Sequence, residues 1–259
     1  MSWTPGALAP KPGAAPLAAM LRAQTRAELT LLLRSGEQVL LSLVIPLGLL
    51  VTLTLIPFIT VAGATTHGQR ADFFVPGVLA LAIMSTAFTG QAIGVGFERQ
   101  YGVLKRLGAT PLPRSVLLLA KTVGVLCVEV LQLALLSVVG LLLGWSPRGS
   151  VLAVLALVVL GTSAFSGLGL LLGGTLRGLT VLAAANLVWF VLLILGGVLF
   201  PLSQLGSAAT VLELLPTAAL SHGLRTVLQD GGLPVRDVLA LAVWAVAALG
   251  AAAKAFRWE

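Results

Sequence analysis

Between Val39 and Ala253 the chain is a succession of apolar blocks separated by short polar breaks. The blocks cover residues 39–62, 73–95, 116–143, 151–173, 179–200 and 238–253, the last extendable back to Val235. Each is close to the ~20 residues that cross a ~30 Å hydrocarbon layer as a helix. Lipid cannot satisfy bare backbone groups, and the two-residue alternation of a barrel strand is missing. The pattern therefore predicts an all-α integral membrane protein with six transmembrane helices. Ahead of the first block, Arg22, Arg26, Thr30, Arg34 and Glu37 share one helical face, with Leu17, Leu21, Leu31 and Leu32 elsewhere. Gln24 and Glu28 interrupt the opposite face. Residues 17–38 thus read as an amphipathic interfacial helix. Residues 1–16, rich in Pro, Ala and Gly, read as a flexible leader without the basic start of a signal peptide. Residues 201–234 are too polar for a clean span and too apolar for a solvated loop. Leu202, Leu205, Leu212, Leu214 and Leu215 predict short re-entrant helices there, an outer lid before the last span.

The most conspicuous charged interruption is GFERQYGVLKRLGATPLPR, Gly96 to Arg114. At 100° per residue, Phe97, Tyr101, Leu104 and Leu107 fall on one arc of about 120°, with Arg99 and Arg106 opposite. Gly108 is a helix stop, and Pro111 and Pro113 prevent continuation. The spacing predicts a short helix over 97–108 with an apolar stripe and a basic back. It reads either as a surface loop rich in positive charge or as a docking helix whose anchors enter a groove on a cytosolic partner.

Composition agrees with the bilayer as solvent. Only 10% of residues are charged and 58% are hydrophobic, against about 25% charged in an ordinary soluble domain; the mean hydropathy is +1.05. The net charge of +7 comes from basic residues beside the apolar blocks, so it reports topology rather than nucleic-acid binding. With the N-terminus inside, the cytosolic side receives Lys11, Arg22, Arg26, Arg34, Arg99, Lys105, Arg106, Arg114, Lys121, Arg177, Lys254 and Arg257. The outer side receives Arg70, Arg148, Arg225 and Arg236. That asymmetry places both termini, and the 97–108 segment, in the cytosol.

Chemistry-bearing residues are few. Cys127 is the single cysteine, so no intrachain disulfide forms, and His67 and His222 are too isolated for a metal site. No G-x-x-x-x-G-K-[ST] loop is present to cradle a nucleotide. Glu129, mid-way along the third block with Gln132 one turn on, must face protein or water, because an ionised group at a helix centre costs about 2.5–3.5 kcal/mol. Glu129, Gln132 and Asn186 are candidates for a translocation path or a subunit seam; Glu129 reads equally as a protonated residue hydrogen-bonded to a neighbouring span, and Asn186 also suits an interhelical hydrogen bond. Lys121 is explained by snorkelling to headgroups. The pairs Gly90/Gly94, Gly140/Gly144 and Gly169/Gly173 allow close helix crossing. Ser163 and Ser166 with His222 suggest an intramembrane serine protease, but the serines and the histidine belong to different segments, and small residues at a crossing explain the serines better.

ERQYGVLKRLGATPLPR resembles the cytosolic loop of ABC type-2 transporter permeases, whose pattern is roughly E-R-x-x-G-T-L-x-x-L-x-x-[TS]-P. Glu98, Arg99, Gly102, Leu104, Leu107, Thr110 and Pro111 match it, and Val103 stands where threonine is usual. FFVPGVLAL, with Pro76 and Gly77, is similar to the family's second-span opening. Gly197–Leu228, with Pro201, Pro216 and Arg225, is similar to its fifth-span exit. The resemblance implies a permease subunit of an ATP-driven exporter in a prokaryotic plasma membrane. It implies two permease subunits, identical or paralogous, surrounded by lipid, and two cytosolic ATPase subunits that bind ATP and Mg. It implies that Phe97, Glu98, Arg99, Tyr101, Gly102, Leu104, Lys105, Arg106 and Leu107 couple to the ATPase, and that Pro76, Gly77, Pro201 and Pro216 shape span ends and lid. No cofactor is then expected on this chain, which is not itself an enzyme. The apolar walls suit an amphipathic or lipid-like substrate. A haem-exporter-type permease and a non-transporting membrane scaffold or sensor are the alternatives.

Overall fold

A computed structural model describes residues 14–56, 66–176, 178–198 and 212–256. All regular structure among them is helical. Helix α1 spans Leu17–Arg34 and α2 spans Gly36–Leu55. A single long helical run follows, built of α3 (His67–Ile83), a π-helical segment (Met84–Gly90) and α4 (Gln91–Gln100). Then come α5 (Val103–Gly108), α6 (Arg114–Leu142), α7 (Val151–Thr175), α8 (Leu179–Leu195), α9 (Pro216–Leu228) and α10 (Val235–Ala255). Among the described residues, four helical runs are long and apolar enough to cross a membrane: His67–Gln100, Arg114–Leu142, Val151–Thr175 and Val235–Ala255. Ser42–Leu55 and Leu179–Leu195 are shorter apolar helices.

Several boundaries differ from the sequence reading, each for a local reason. The interfacial helix ends at Arg34 rather than running to 38, because Ser35 leaves helical geometry (φ −79°, ψ 66°) and α2 begins at Gly36. The second span starts at His67 rather than Phe73. A capping box fixes that start: Thr66 Oγ1 accepts from the Gln69 amide at 3.3 Å, and Gln69 Oε1 accepts from the Thr66 amide at 3.1 Å. The same run continues to Gln100, so Phe97–Gln100 belong to the span and not to a separate helix. At 1.5 Å per residue it is roughly 50 Å long, well beyond a ~30 Å hydrocarbon layer. The predicted 97–108 helix is broken at Gly102, whose φ of 72° lies in the left-handed region that glycine enters without penalty. The α5 helix is therefore a six-residue piece turned back from the end of the span.

Packing inside lipid relies on close backbone approach more than on burial of apolar area. The α7 helix meets the π segment and α4 along a face carrying Gly169 and Gly173. A Cβ at Gly169 would sit 2.6 Å from the Phe88 carbonyl oxygen, and one at Gly173 would sit 2.5 Å from that of Ala92. The helices α7 and α10 pair closely, α1 lies along α6, and α2 and α9 both lean on α3. Phe74, Ile83, Met84, Leu136, Leu157, Phe165 and Leu220 fill the centre. Leu187, Phe190, Val243 and Val246 face outward, as lipid-facing positions can.

Helix α9 is packed into the bundle rather than spread over its end as a lid. Pro216 sits at its first turn, and Ala218, Ala219, Leu220, Leu224 and Val227 are fully buried among α3, α7 and α10. Residues 201–211 of the expected lid, Pro201 included, lie outside the described residues.

Candidate functional site

In a chain with few polar side chains, arginines stop the helices. Arg70 on α3 is buried and donates to the last carbonyls of α2: Leu53 at 2.5 Å, Thr54 at 3.0 Å and Ile56 at 2.8 Å. Arg225 on α9 does the same after α8, reaching Gly197 at 2.6 Å and Val198 at 2.7 Å. Arg99 on α4 closes α7, donating to Gly174 at 3.1 Å and Leu176 at 3.3 Å. Terminal carbonyls left open by a helix carry partial negative charge, so a guanidinium both satisfies them and complements the dipole. Arg225 also stacks over Phe73 at 4.4 Å. Its burial pulls its pKa down from the ordinary value to about 10, which still leaves it charged at neutral pH. Arg99, expected on the solvated back of the coupling helix, is thus a half-buried internal brace.

The next layer is an ion triad. Lys121 Nζ on α6 lies 2.9 Å from Glu28 Oε2 on α1 and 2.7 Å from Glu98 Oε1 on α4. Lys121 is 5% exposed, so it does not snorkel to headgroups; two carboxylates at the α1 and α4 crossings hold it inside. Glu28, an interruption of the apolar pattern of α1, is the buried residue that docks α1, and Gln24 donates to its other oxygen at 2.8 Å. Beside the triad, Gln91 Nε2 donates to Ser166 Oγ at 2.7 Å and to the Lys121 carbonyl at 3.2 Å, and Ser166 and Thr122 share a bond of 2.8 Å.

These groups border a cavity of about 710 Å³. It lies between α1, α2, the π segment, α4, α6 and α8, and its walls are mainly apolar. Asn186 lines it, but its amide donates to Leu182 of its own helix at 2.9 Å rather than across to a neighbour. Gln132 stands behind the wall, tying α6 to the Ser42 carbonyl and, at 3.1 Å, to Thr86. Glu129 is fully buried and accepts from Thr162 of α7. It does not line this cavity; its partner is a neighbouring helix of the same chain. Trp189, not singled out in the sequence, lines the cavity and donates to Ser85 at 2.9 Å.

The surface beyond the triad belongs to α5 and the turn before it. Leu104 is fully buried in a small cluster with Val95, Leu117, Leu170 and Phe256, and Leu107 packs against the same cluster. The stripe thus anchors α5 on its own bundle, with Leu104 buried there and Leu107 partly covered. Tyr101 is 70% exposed and stacks on Phe97 with centroids 6.2 Å apart; Lys105 and Arg106 are also exposed. At the opposite end, Gly77 lies against the α8 exit, where a Cβ would meet the Val198 carbonyl at 2.6 Å. Pro76 and Pro216 are buried there as well. His222 pairs with Asp237 at 2.9 Å, while Ser163 bonds Val159 of its own helix and Ser166 bonds Gln91 and Thr122. No serine–histidine pair forms among these residues. No cluster of three metal-ligating side chains occurs among the described residues.

Gln91 and Trp189 were not singled out in the sequence, Glu28 read only as an interruption of the α1 face, and Lys121 read as a snorkelling residue. Their one signal was placement: polar groups within or beside apolar blocks, whose partners lie far along the chain.

No curated protein matches the chain. The family model described as ABC-2 type transporter matches residues 20–228, from α1 through α9. The match covers the triad, the α5 turn and the α8 exit alike. This multi-pass membrane chain therefore belongs to the ABC-2 type transporter family, whose members are the membrane components of ABC transporters and work with an ATP-binding subunit.

Proposed function

We propose that the chain is the permease subunit of an ATP-driven exporter that moves an amphipathic or lipid-like substrate outward. In this reading α2, the α3–α4 run, α6, α7, α8 and α10 are its six spans. The distribution of basic residues puts both termini and α5 in the cytosol of a prokaryotic cell. Two copies, or this chain and a paralogue, pair in the membrane. Two cytosolic ATPase subunits bind ATP and Mg and supply the work, and no hydrolytic step is assigned to this chain.

The observation that carries the reading is the mechanical continuity from α5 to the spans. Tyr101, Lys105 and Arg106 present an exposed, basic surface on a turn that is anchored by Leu104. The turn is the direct continuation of a long span. Glu98 fastens that span to α6 and Arg99 fastens it to α7. A push on the exposed face is therefore delivered to three helices at once instead of being lost in a loose loop. Glu98 and Arg99 transmit; Tyr101, Lys105 and Arg106 touch. A membrane scaffold would have the same surface but no ATPase on it.

Affinity purification of the tagged chain expressed with candidate ATPase subunits tests this. We expect an ATPase to co-elute and to be lost when Lys105 and Arg106 are both changed to Glu. In a Cys127→Ala background, Tyr101→Cys should react with a membrane-impermeant maleimide only after cells are opened. Labelling in intact cells, or purification without any ATPase, overturns the proposal.

A further inference from the structure

The two ends of the 710 Å³ cavity differ in chemistry. Along most of its length the wall is apolar, formed by residues such as Leu32, Leu49, Val125, Trp189 and Leu193. At the end nearest α5 it is lined by Glu28, Glu98 and Lys121. Two carboxylates there face one ammonium, an excess of one negative charge. The ammonium bonds one oxygen of each. Glu98 Oε2 is shut off from water and accepts no hydrogen bond.

A second unsatisfied acceptor lies on the same helix. Gln91, only 7% exposed, also lines the cavity, and its Oε1 is buried without a donor. Its amide cannot simply be reversed, because Nε2 is already committed to Ser166 and to the Lys121 carbonyl. Gln91 and Glu98 are seven residues apart, two helical turns, and so share one face of α4. Buried acceptors without donors are rare in folded proteins, since each forfeits a hydrogen bond it would have made in water. Two of them on one face, beside excess negative charge, ask for a ligand that brings N–H donors and a positive charge.

We propose that this cavity binds an amphipathic monocation bearing N–H donors, with its charged head at the Glu98 carboxylate and its apolar body along α2, α6 and α8. Rotation about the terminal torsion of Glu98, a soft coordinate, presents the free oxygen to the head. An anion meets the excess carboxylate, and a neutral hydrophobe leaves both acceptors empty. Reading the bound cation as the transported substrate rests on the exporter reading above; the binding itself does not.

The test uses the full chain co-purified with its ATPase, in phosphatidylcholine nanodiscs and without nucleotide. Ethidium, a planar monocation with aromatic amine donors, is titrated and followed by fluorescence, with empty nanodiscs subtracted. Anionic fluorescein and neutral Nile red serve as comparators. We expect saturable ethidium binding, at least tenfold tighter than either comparator. Glu98→Gln should weaken it at least tenfold. Ile45→Trp, on an exposed position of the cavity wall, should block it by volume without touching the triad, which keeps the test decisive if the Glu98 variant does not fold. Equal binding of fluorescein, an unchanged affinity in both variants, or no saturable ethidium binding overturns the proposal. ATP hydrolysis is measured in the same preparation. Intact hydrolysis without cation binding removes this inference alone, whereas the lack of any co-purifying ATPase removes the exporter reading and leaves the binding result standing.

Discussion

The two ends of the bundle both bury charge, but they bury it differently. At the α9 end, guanidiniums are matched to backbone carbonyls: Arg70 closes α2 and Arg225 closes α8. Gln229 adds a bond of 2.5 Å to the Asp72 carbonyl, while the Asp72 carboxylate accepts from the Ser146 amide at 2.8 Å. Each of these bonds has a backbone group on at least one side, and a backbone group cannot swing out. At the α5 end Arg99 also caps α7 through backbone carbonyls, but Lys121 is held by side chains, from α1 and α4, and those side chains border a cavity. Side-chain pairs can exchange partners and backbone caps cannot. The contrast teaches that the α9 end is a fixed clamp, whereas the α5 end, from which the exposed basic surface extends, is the end able to rearrange.

The most forceful way to break this contrast is Lys121→Met. It strands two carboxylates at the α1, α4 and α6 crossings, and removing one partner from a buried ion pair costs about 3–5 kcal/mol. Glu98 keeps a quarter of its side chain exposed (25%), so the low end, about 3 kcal/mol, is expected. In a thermal unfolding measurement in detergent that is a fall of roughly 6–12 °C for a chain of this size. The triple variant Glu28→Gln, Glu98→Gln, Lys121→Met should recover most of it, since the stranded charges are gone. A single variant as stable as wild type would mean that the triad does not hold the α5 end together.

Arg225→Met probes the clamp. It removes two charge-assisted bonds to the α8 exit, a loss of about 1.5–3 kcal/mol if one of the two carbonyls finds no other donor. The loss should appear as faster amide exchange at the α8–α9 junction with little change at α5, read by hydrogen exchange in nanodiscs. Exchange that rises equally at both ends would merge the two regions into one cooperative unit and erase the contrast.

How much of this could be read beforehand follows from the range of the interactions. Apolar blocks report helices directly, because span length and composition are local properties; α6 and α7 sit nearly where the blocks placed them. Gly102 was legible as a family match but not as a break, since a helical stripe through Phe97, Tyr101, Leu104 and Leu107 reads smoothly across it. The stripe did not show that Leu104 and Leu107 pack on the chain's own bundle. Lys121 and Glu28 are 93 positions apart, and no periodicity links them. The same holds for Arg99 and the end of α7, where the partner is a carbonyl and leaves no trace in side-chain identity. Pairings of this kind set the cavity and its charge, so the site was less visible than the spans around it.

The smallest expected effect sharpens the contrast by probing a titratable seam at the α9 end. His222 on α9 accepts its position from Asp237 at the start of α10, 2.9 Å away. The hydrogen bond to Asp237 raises the His222 pKa above its ordinary value; burial opposes the rise, the Asp237 and Glu213 charges add to it, and nearby Arg225 works against it. The folded state therefore favours protonated His222. Its contribution is complete below the ordinary histidine pKa of about 6.5 and fades as pH rises through the higher folded value. The imidazole is 65% exposed, so solvent screening keeps the contribution under about 1 kcal/mol. Thermal stability measured from pH 5.5 to 8.5, in steps of about half a unit, should decline gently towards the alkaline side. Asp237→Asn should flatten that slope, while Lys121→Met leaves it in place. If the slope survives Asp237→Asn unchanged, the seam is not this pair, and the clamp at the α9 end is held by its backbone caps alone.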